Sequence, residues 1–526
     1  MINELPEHLR HKNVLVAMLW YGQTHPDMTL LLSSFVEQME DLSAEGITWN
    51  GGTDTVQSKI YCLSCCADAP ARAIMQNMYQ FNGHYGCGWC LHPGEVIDGL
   101  IFALPHRDCV CEPVPEEDTE ETLAQMIEAA ATGKPILGVK GPTPLMNLEH
   151  FDVVWGFTPD YMHCVLLGTT RQLLDLWLTS TGRPFYVGSK DLFTQLDKRL
   201  CSIKPPSCLH RLQRSLSVRK YWKATEWQQW LLCFSLPCLQ GILKPPYLDH
   251  FALLVRGITL LLQDKVTEED VSESIDCLVQ FALAVETLYD KGAMTFNVHQ
   301  LLHLPKSVLH HGPLWAHSCF AFESNIGQVK DLVTSAKGVP MQIVERLTLR
   351  SSFADLKAQA CPRTQAFLGG GSIPNQKSVV PLGKPRTVSP SILHIAESQI
   401  GDIIGGPVVE YDRVSVHHVL LHSEQYGRPN KTDSTAAMLP SGVCFKADHI
   451  LSFKDLAGNE RVFAVTHKFS TAPIHRIAHI LKLRQGPSSH RVLVDLAPGI
   501  VPCIYMEVEG KVYFVPLAGK AIFKSQ

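Results

Sequence analysis

The 526-residue sequence has no apolar run long enough to cross a bilayer. Its longest, FALLVRGITLLL at 251–262, is broken by Arg256 and falls short of the roughly 20 residues a membrane helix needs. A membrane partner is therefore not expected. The opening MINELPEHLRHKN lacks the apolar core of a secretory signal, and no Arg/Ser-rich transit segment follows, so the expected location is inside the cell. Basic excess is missing too: 46 Lys and Arg stand against 51 Asp and Glu, a net charge of −5. Proteins that coat nucleic acid through bulk charge carry a basic footprint, so any DNA contact here must come from local patches. No internal repeat is present.

What the sequence does have is the composition of a globular chain, 45% hydrophobic and 18% charged, with length for roughly two to four domains. Its 17 cysteines need an account, because disulfides are uncommon in a reducing compartment. Cys62, Cys65 and Cys66 in IYCLSCC, with Cys233, Cys238 and Cys277, sit in apolar contexts and read as small core residues.

Residues 1–80 carry two strand-like runs, VLVAMLWYG and KIYCLSCCA, separated by a helical pattern, MTLLLSSFVEQMEDLSAEG, that ends at Gly46. Residues 81–150 are loop-rich, with the acidic run EPVPEEDTEET leading into a helix, LAQMIEAAATG. From 161 to 305 the periodicity is helical almost throughout, and two more helical stretches follow 320. The Gly-, Pro-, Ser- and Lys-containing stretch at 368–390 has the composition of a linker. Beyond it, short β-like runs end in CIYMEVEGKVYFVPL, a hairpin turning at Glu509-Gly510. The expected fold class is α/β, with a helical block at 161–305 and a small, mostly β domain at 391–526.

Three acids stand out. Asp68 follows the run KIYCLSCCA and opens the helical PARAIMQNMYQF; Asp160 repeats the arrangement after FDVVWGF. Locally, both read best as helix N-caps, and a carboxylate held rigidly at a strand end also suits a metal ion. Glu323 lies in the apolar, aromatic LWAHSCFAFESNIGQ, where it must reach solvent or bind something, since an unpaired buried carboxylate costs several kcal/mol. Together the three fit a two-metal site with ions about 4 Å apart.

In FNGHYGCGWCLHPGE, Cys87 and Cys90 form a C-x-x-C, half of a zinc site. Two completions are open: a local knuckle with His92, Cys109 or Cys111, or the distant NVHQLLHL. In the latter, His299 and His303 share one helix face. C-x-x-C with H-x-x-x-H fills all four positions of a tetrahedral zinc, so the site would be structural, which makes a zinc-dependent hydrolase the weakest reading.

The strings DAPARA, NGHYGCGWCLHPGE, PDYMHCVLLG, YWKATEWQQWLL, NVHQLLHL and GPLWAHSCFAFES, in this order, resemble the CACTA (En/Spm-like) DDE transposases of animal genomes over roughly residues 1–350. The resemblance implies an RNase H-like catalytic core interrupted by a long α-helical insertion. The core's first part would be 1–160, the insertion 161–305 and the end of the core 306–367, followed by the linker and the β-rich domain. It implies Asp68, Asp160 and Glu323 as catalytic acids holding Mg2+ (or Mn2+), and it favours Cys87, Cys90, His299 and His303 as ligands of a structural Zn2+. His163, in DYMH, would orient the second acid or the metals. The implied activity is DNA nicking and strand transfer in the nucleus by a homo-oligomer on DNA, with no small-molecule substrate. The alternative is an inactive, domesticated derivative that binds DNA or protein. FESNIG departs from the family, in which a Gly more often follows the Asn directly. The chain begins almost at the core's first strands, so a separate segment for recognising transposon ends is not expected in it.

Overall fold

The structure, a computed structural model, describes residues 2–5, 10, 13–24, 26–52, 54–97, 100–102, 118–209, 211–368, 378–427, 431–467, 469–486, 490–517 and 519. It is a mixed α/β protein with many helices and a β-rich C-terminal region. The chain separates into two compact units, one of Met1–Gln172 and Leu260–Gly369, the other of Leu173–Thr259 and Gly370–Gln526. Among the described residues no helix is long and apolar enough to cross a membrane.

In the first unit the amphipathic helix forms over Met28–Ala44. Asp27 caps it by accepting from the Leu30 N–H at 3.1 Å, and Leu32 and Val36 turn into a core shared with Met78, Trp89, Met126 and Phe157. Strands are few and short here. The run VLVAMLWYG, expected as a strand, forms none; Leu15, Leu19 and Trp20 are exposed. Apolar content does not make a strand without a ladder of partner hydrogen bonds. Of KIYCLSCCA only Cys65–Cys66 is a strand, parallel to Phe157–Thr158, with Cys65 opposite Phe157 and Cys66 opposite Thr158. A parallel pair needs a long crossover, and this one contains the C-x-x-C loop and the helix Thr119–Thr132. After Leu260 the unit is helical, through Glu268–Leu288, Phe296–Gln300, Leu304–His311, Phe320–Lys330 and Val339–Gln359.

The second unit is built on a ten-stranded antiparallel sheet. Its longest strands, Cys444–Lys454, Glu460–His467 and Val501–Val508, send Phe445, Ile450, Val465 and Ile504 fully inward. Val501–Val508 and Lys511–Pro516 form the expected hairpin. Its turn residues Glu509 and Gly510 both take positive φ, as a tight two-residue turn requires. A three-stranded sheet, Val379–Leu382, Arg413–Val416 and Val419–His422, shares a core with the large one through Val414, Val416 and Leu421.

Two expected boundaries change. The helical block 161–305 is divided between the units, because its residues 173–259 are tied to the β-rich part. Within that second unit Arg199 pairs with Glu509, the His479 ring meets the Leu232 carbonyl at 2.7 Å, and the Asp433 N–H donates to the Pro205 carbonyl at 2.9 Å. The segment 368–390 is not simply a linker. Residues 369–377 lie outside the described part, but Val379–Leu382 pairs with Arg413–Val416, and Arg386–Thr387 pairs with Val409–Tyr411. The apolar VVPL satisfies one sheet edge, which composition alone does not reveal.

Candidate metal centre and acid cluster

The four distant cysteine and histidine residues meet. Cys87, Cys90, His299 and His303 are all buried, and their donor atoms all lie within 4.8 Å of one another. Cys87 Sγ is 3.4 Å from His303 Nε2 and 3.3 Å from His299 Nε2; Cys90 Sγ is 3.4 Å from His299 Nε2, and the two Nε2 atoms are 3.2 Å apart. A tetrahedral zinc, with bonds of about 2.3 Å to sulfur and 2.0 Å to nitrogen, requires S···N and N···N separations of about 3.3–3.6 Å. The donor set and its spacing fit such an ion. Burial pushes the Cys87 thiol up, but hydrogen bonding to Cys90 and the facing rings of His303 and His299 outweigh it and hold the thiol well below its ordinary range. The thiolate that a metal needs is thereby favoured. Cys109 and Cys111, the local alternatives, lie outside the described residues. His92 is buried beside the group, its ring 5.6 Å from that of His299, and its Nδ1 accepts from the Gly94 N–H.

Local chemistry explains how the loop reaches that position. A Cβ at Gly86 would lie 2.3 Å from the Gln80 carbonyl oxygen, so the turn closes only with glycine. Trp89, between the two cysteines, is fully buried, and its Nε1–H donates to the Phe157 carbonyl at 2.9 Å. The Arg72 guanidinium stacks 4.1 Å over the Trp89 ring and reaches Gln300, between the histidines, at 3.4 Å. The histidine helix approaches from the other side. A Cβ at Gly168 would lie 2.7 Å from the Asn297 side chain, so that close approach needs glycine as well.

These same ties lead to the acids. Phe157, which accepts from Trp89, lies in the strand before Asp160, and Arg72 lies in the helix Ala69–Met75 that Asp68 caps by accepting from the Ala71 N–H at 2.9 Å. The register offset of the parallel strands is 92 residues, Cys65 to Phe157, and Asp68 and Asp160 are separated by the same 92. They therefore occupy equivalent positions two residues beyond neighbouring strands, whose axes in any sheet lie about 4.8 Å apart.

Asp160 is the innermost acid, 2% exposed. Its Oδ2 accepts from the His163 N–H at 3.0 Å and lies 2.6 Å from His163 Nδ1; its Oδ1 accepts from the Cys319 N–H at 2.9 Å and the Ser318 hydroxyl at 3.3 Å. Burial raises its pKa, and these hydrogen bonds outweigh burial and keep it below the usual carboxylate range. Cys319 immediately precedes the helix Phe320–Lys330, and the Glu323 N–H bonds the Cys319 carbonyl at 2.8 Å, so Glu323 stands one turn from Asp160's partner. Its side chain is exposed. Burial lowers the His163 pKa, but the bond to Asp160, its charge and the charges of Asp68 and Glu323 together raise it. All three acids thus act on one imidazole. After Asp160 the chain runs through Met162–Thr170 with π-helical bonding, a rare geometry frequent at functional sites that recurs in this chain at Trp230–Phe234.

The acids are not drawn into one tight ligand set. Among the described residues only two groups of three or more donors bring all donor atoms within 4.8 Å, and the acid triad is not one of them. Carboxylates shared between two ions about 4 Å apart are spread more widely than the ligands of a single ion. The second group is Cys66, Asp160 and Cys319. Cys66 is therefore more than the packing residue its apolar neighbours suggested, whereas Cys233, Cys238 and Cys277 are buried as expected. Only proximity in sequence to Asp68 and Glu323 set Cys66 and Cys319 apart from the other cysteines.

The chain matches no protein-family model and no curated protein sequence.

Proposed function

We propose that this chain is a DDE-type DNA transposase resembling the CACTA group, with an RNase H-like core, that nicks DNA and transfers strands in the nucleus as an oligomer on DNA. The observation that carries the reading is the matched placement of Asp68 and Asp160 beyond two paired parallel strands, with the helix of Glu323 bonded to Asp160 through the Cys319 N–H. Equivalent strand ends are where a rigid scaffold presents carboxylates to a shared substrate.

Asp68, Asp160 and Glu323 would hold Mg2+ or Mn2+, hard ions that take oxygen donors. When bound, these ions supply charge stabilisation for the attacking and leaving oxygens of a phosphodiester. The protein's own part is positional. Asp160 is kept ionised by the His163 side chain and by the backbone N–H groups of Cys319 and His163, and His163 fixes its orientation through Oδ2. The Cys87, Cys90, His299 and His303 group, as a structural zinc site, would close the chain after the first acid onto the helices before the last. Glu323 lies only 20 residues beyond His303, so that closure would limit how far its helix can move from the aspartates.

A nicking assay on supercoiled DNA with Mg2+ or Mn2+ tests this reading. Wild type is expected to nick, and Asp68→Asn and Glu323→Gln to lose at least about 100-fold, as removal of one electrostatic stabiliser does elsewhere. Equal background cleavage by all three proteins would discard the enzyme and leave an inactive, transposase-derived binding protein.

A further inference from the structure

Two thiols flank the innermost acid. Cys66 closes the first of the paired strands, and Cys319 precedes the helix of Glu323. Their Sγ atoms are 3.6 Å apart, and Cys66 Sγ is 3.9 Å from Asp160 Oδ1. Asp160 and Cys319 are buried, and Cys66 is half-buried.

The spacing discriminates between two chemistries. A disulfide requires its sulfurs about 2.05 Å apart. Two thiolates on one tetrahedral ion, each at about 2.3 Å, are separated by about 3.7 Å, and a carboxylate oxygen on that ion lies about 3.5 Å from each sulfur. The observed 3.6 Å between the sulfurs excludes a disulfide and fits the ion as well as it fits two thiols in hydrogen-bonding contact, and the 3.9 Å from Cys66 Sγ to Asp160 Oδ1 exceeds the ion's requirement by about 0.4 Å.

We propose that Cys66, Cys319 and Asp160 form a second metal site, selective for a thiophilic divalent ion such as Zn2+ and separate from the Cys87, Cys90, His299 and His303 group. Sulfur donors disfavour Mg2+ and select zinc or cadmium. Binding releases two thiol protons to solvent and breaks the bond by which the Cys66 thiol donates to the His317 carbonyl, 2.9 Å away. The carboxylate is already oriented for the task, because His163 holds Oδ2 and leaves Oδ1 on the thiol side. Three protein donors leave one position open to water or another small ligand. A soft ion here engages the same carboxylate that the proposed nuclease needs for Mg2+. That inhibitory consequence rests on the proposed activity; the site itself does not.

The test is a titration of the metal-free full-length chain with Cd2+. It is read by thiolate-to-cadmium ultraviolet absorption and by native mass spectrometry. Wild type should take up two ions per chain, one at each thiol-containing site. The Cys66→Ser/Cys319→Ser variant should take up one, with about half the absorption, since two of four ligating thiolates remain. Cys201→Ser/Cys361→Ser, which removes the two thiols exposed among the described residues, should leave uptake at two. Should Cys66→Ser/Cys319→Ser misfold by circular dichroism, Cys66→Ser alone, at the half-buried position, should lower the absorption by about a quarter. Uptake of a single ion by wild type, or uptake unchanged in the Cys66 and Cys319 variants, would overturn the proposal. A separate arm measures nicking with and without added Zn2+. Inhibition is expected in wild type and not in Cys66→Ser/Cys319→Ser. Absence of nicking in every protein would remove the transposase reading while leaving the ion counts to stand.

Discussion

Among the described residues the first unit has strands of four residues or fewer and gathers two thiols and two imidazoles in its interior, whereas the second has strands of up to eleven residues and surrounds its own buried polar groups, such as Glu226 and Arg199, with a broad apolar sheet core. In the first, distant segments are joined by directional contacts: two thiols facing two imidazoles, an indole N–H on a carbonyl, a guanidinium on an indole. In the second, a ten-stranded sheet buries Phe445, Ala464, Ile504 and Phe514 completely. Directional contacts fix a few atoms to within tenths of an ångström, which a metal or catalytic site demands. Burial over a wide sheet contributes stability without asking for such placement.

The largest expected effect would separate the units. Removing zinc with a chelator, or substituting Cys87→Ser, forfeits metal-binding free energy on the order of 10 kcal/mol, comparable to the whole stability of a domain. Hydrogen exchange should show protection lost around 296–311 and retained across 444–467 and 501–516. Equal loss in both regions would break the contrast. The reverse experiment is Phe445→Ala, which should destabilise the second unit by about 3–5 kcal/mol while zinc content stays unchanged. Zinc lost together with Phe445 would mean that the two kinds of interior are not independent.

A smaller change sharpens the account of the loop. Trp89→Phe keeps an aromatic ring under Arg72 but removes the donor to the Phe157 carbonyl, leaving a buried acceptor unpaired at a cost of about 1–3 kcal/mol. Zinc affinity, measured by competition with a chromophoric chelator, should fall with it, because the indole is the pin between the two cysteines. The smallest effect is expected at a site that only ends a helix. Thr267 and Asp270 cap each other at the start of Glu268–Leu288, and Thr267→Ala should cost about 1 kcal/mol in urea unfolding without altering zinc content.

Parts of this were legible in the sequence because they rest on short-range rules. The helix at Met28–Ala44, the hairpin at Glu509-Gly510 and the caps at Asp68 and Asp160 follow from periodicity, turn chemistry and side-chain acceptors. The pairing of C-x-x-C with H-x-x-x-H was one of two completions the residues left open, and only the family resemblance favoured it over a local knuckle. Strand partners were not legible. VLVAMLWYG has the apolar content of a strand and no ladder, while VVPL, inside a linker-like stretch, has one. Nor was the grouping of residues 173–259 with the β-rich part, because it depends on contacts such as Arg199 with Glu509, more than three hundred residues apart. The closeness of Cys66 to Asp160 and Cys319 was not legible for a related reason: its neighbours in sequence are apolar, and only the folded chain brings it to them.

The central claim is that one long-range metal clasp joins the loop after the first acid to the helix before the last. It is tested most directly by X-ray absorption at the zinc edge on the Cys66→Ser/Cys319→Ser protein loaded with a single equivalent of zinc. The clasp predicts two sulfur ligands at about 2.3 Å and two imidazole nitrogens at about 2.0 Å. A shell of three or four sulfurs, with Cys109 or Cys111 in place of the histidines, would contradict it.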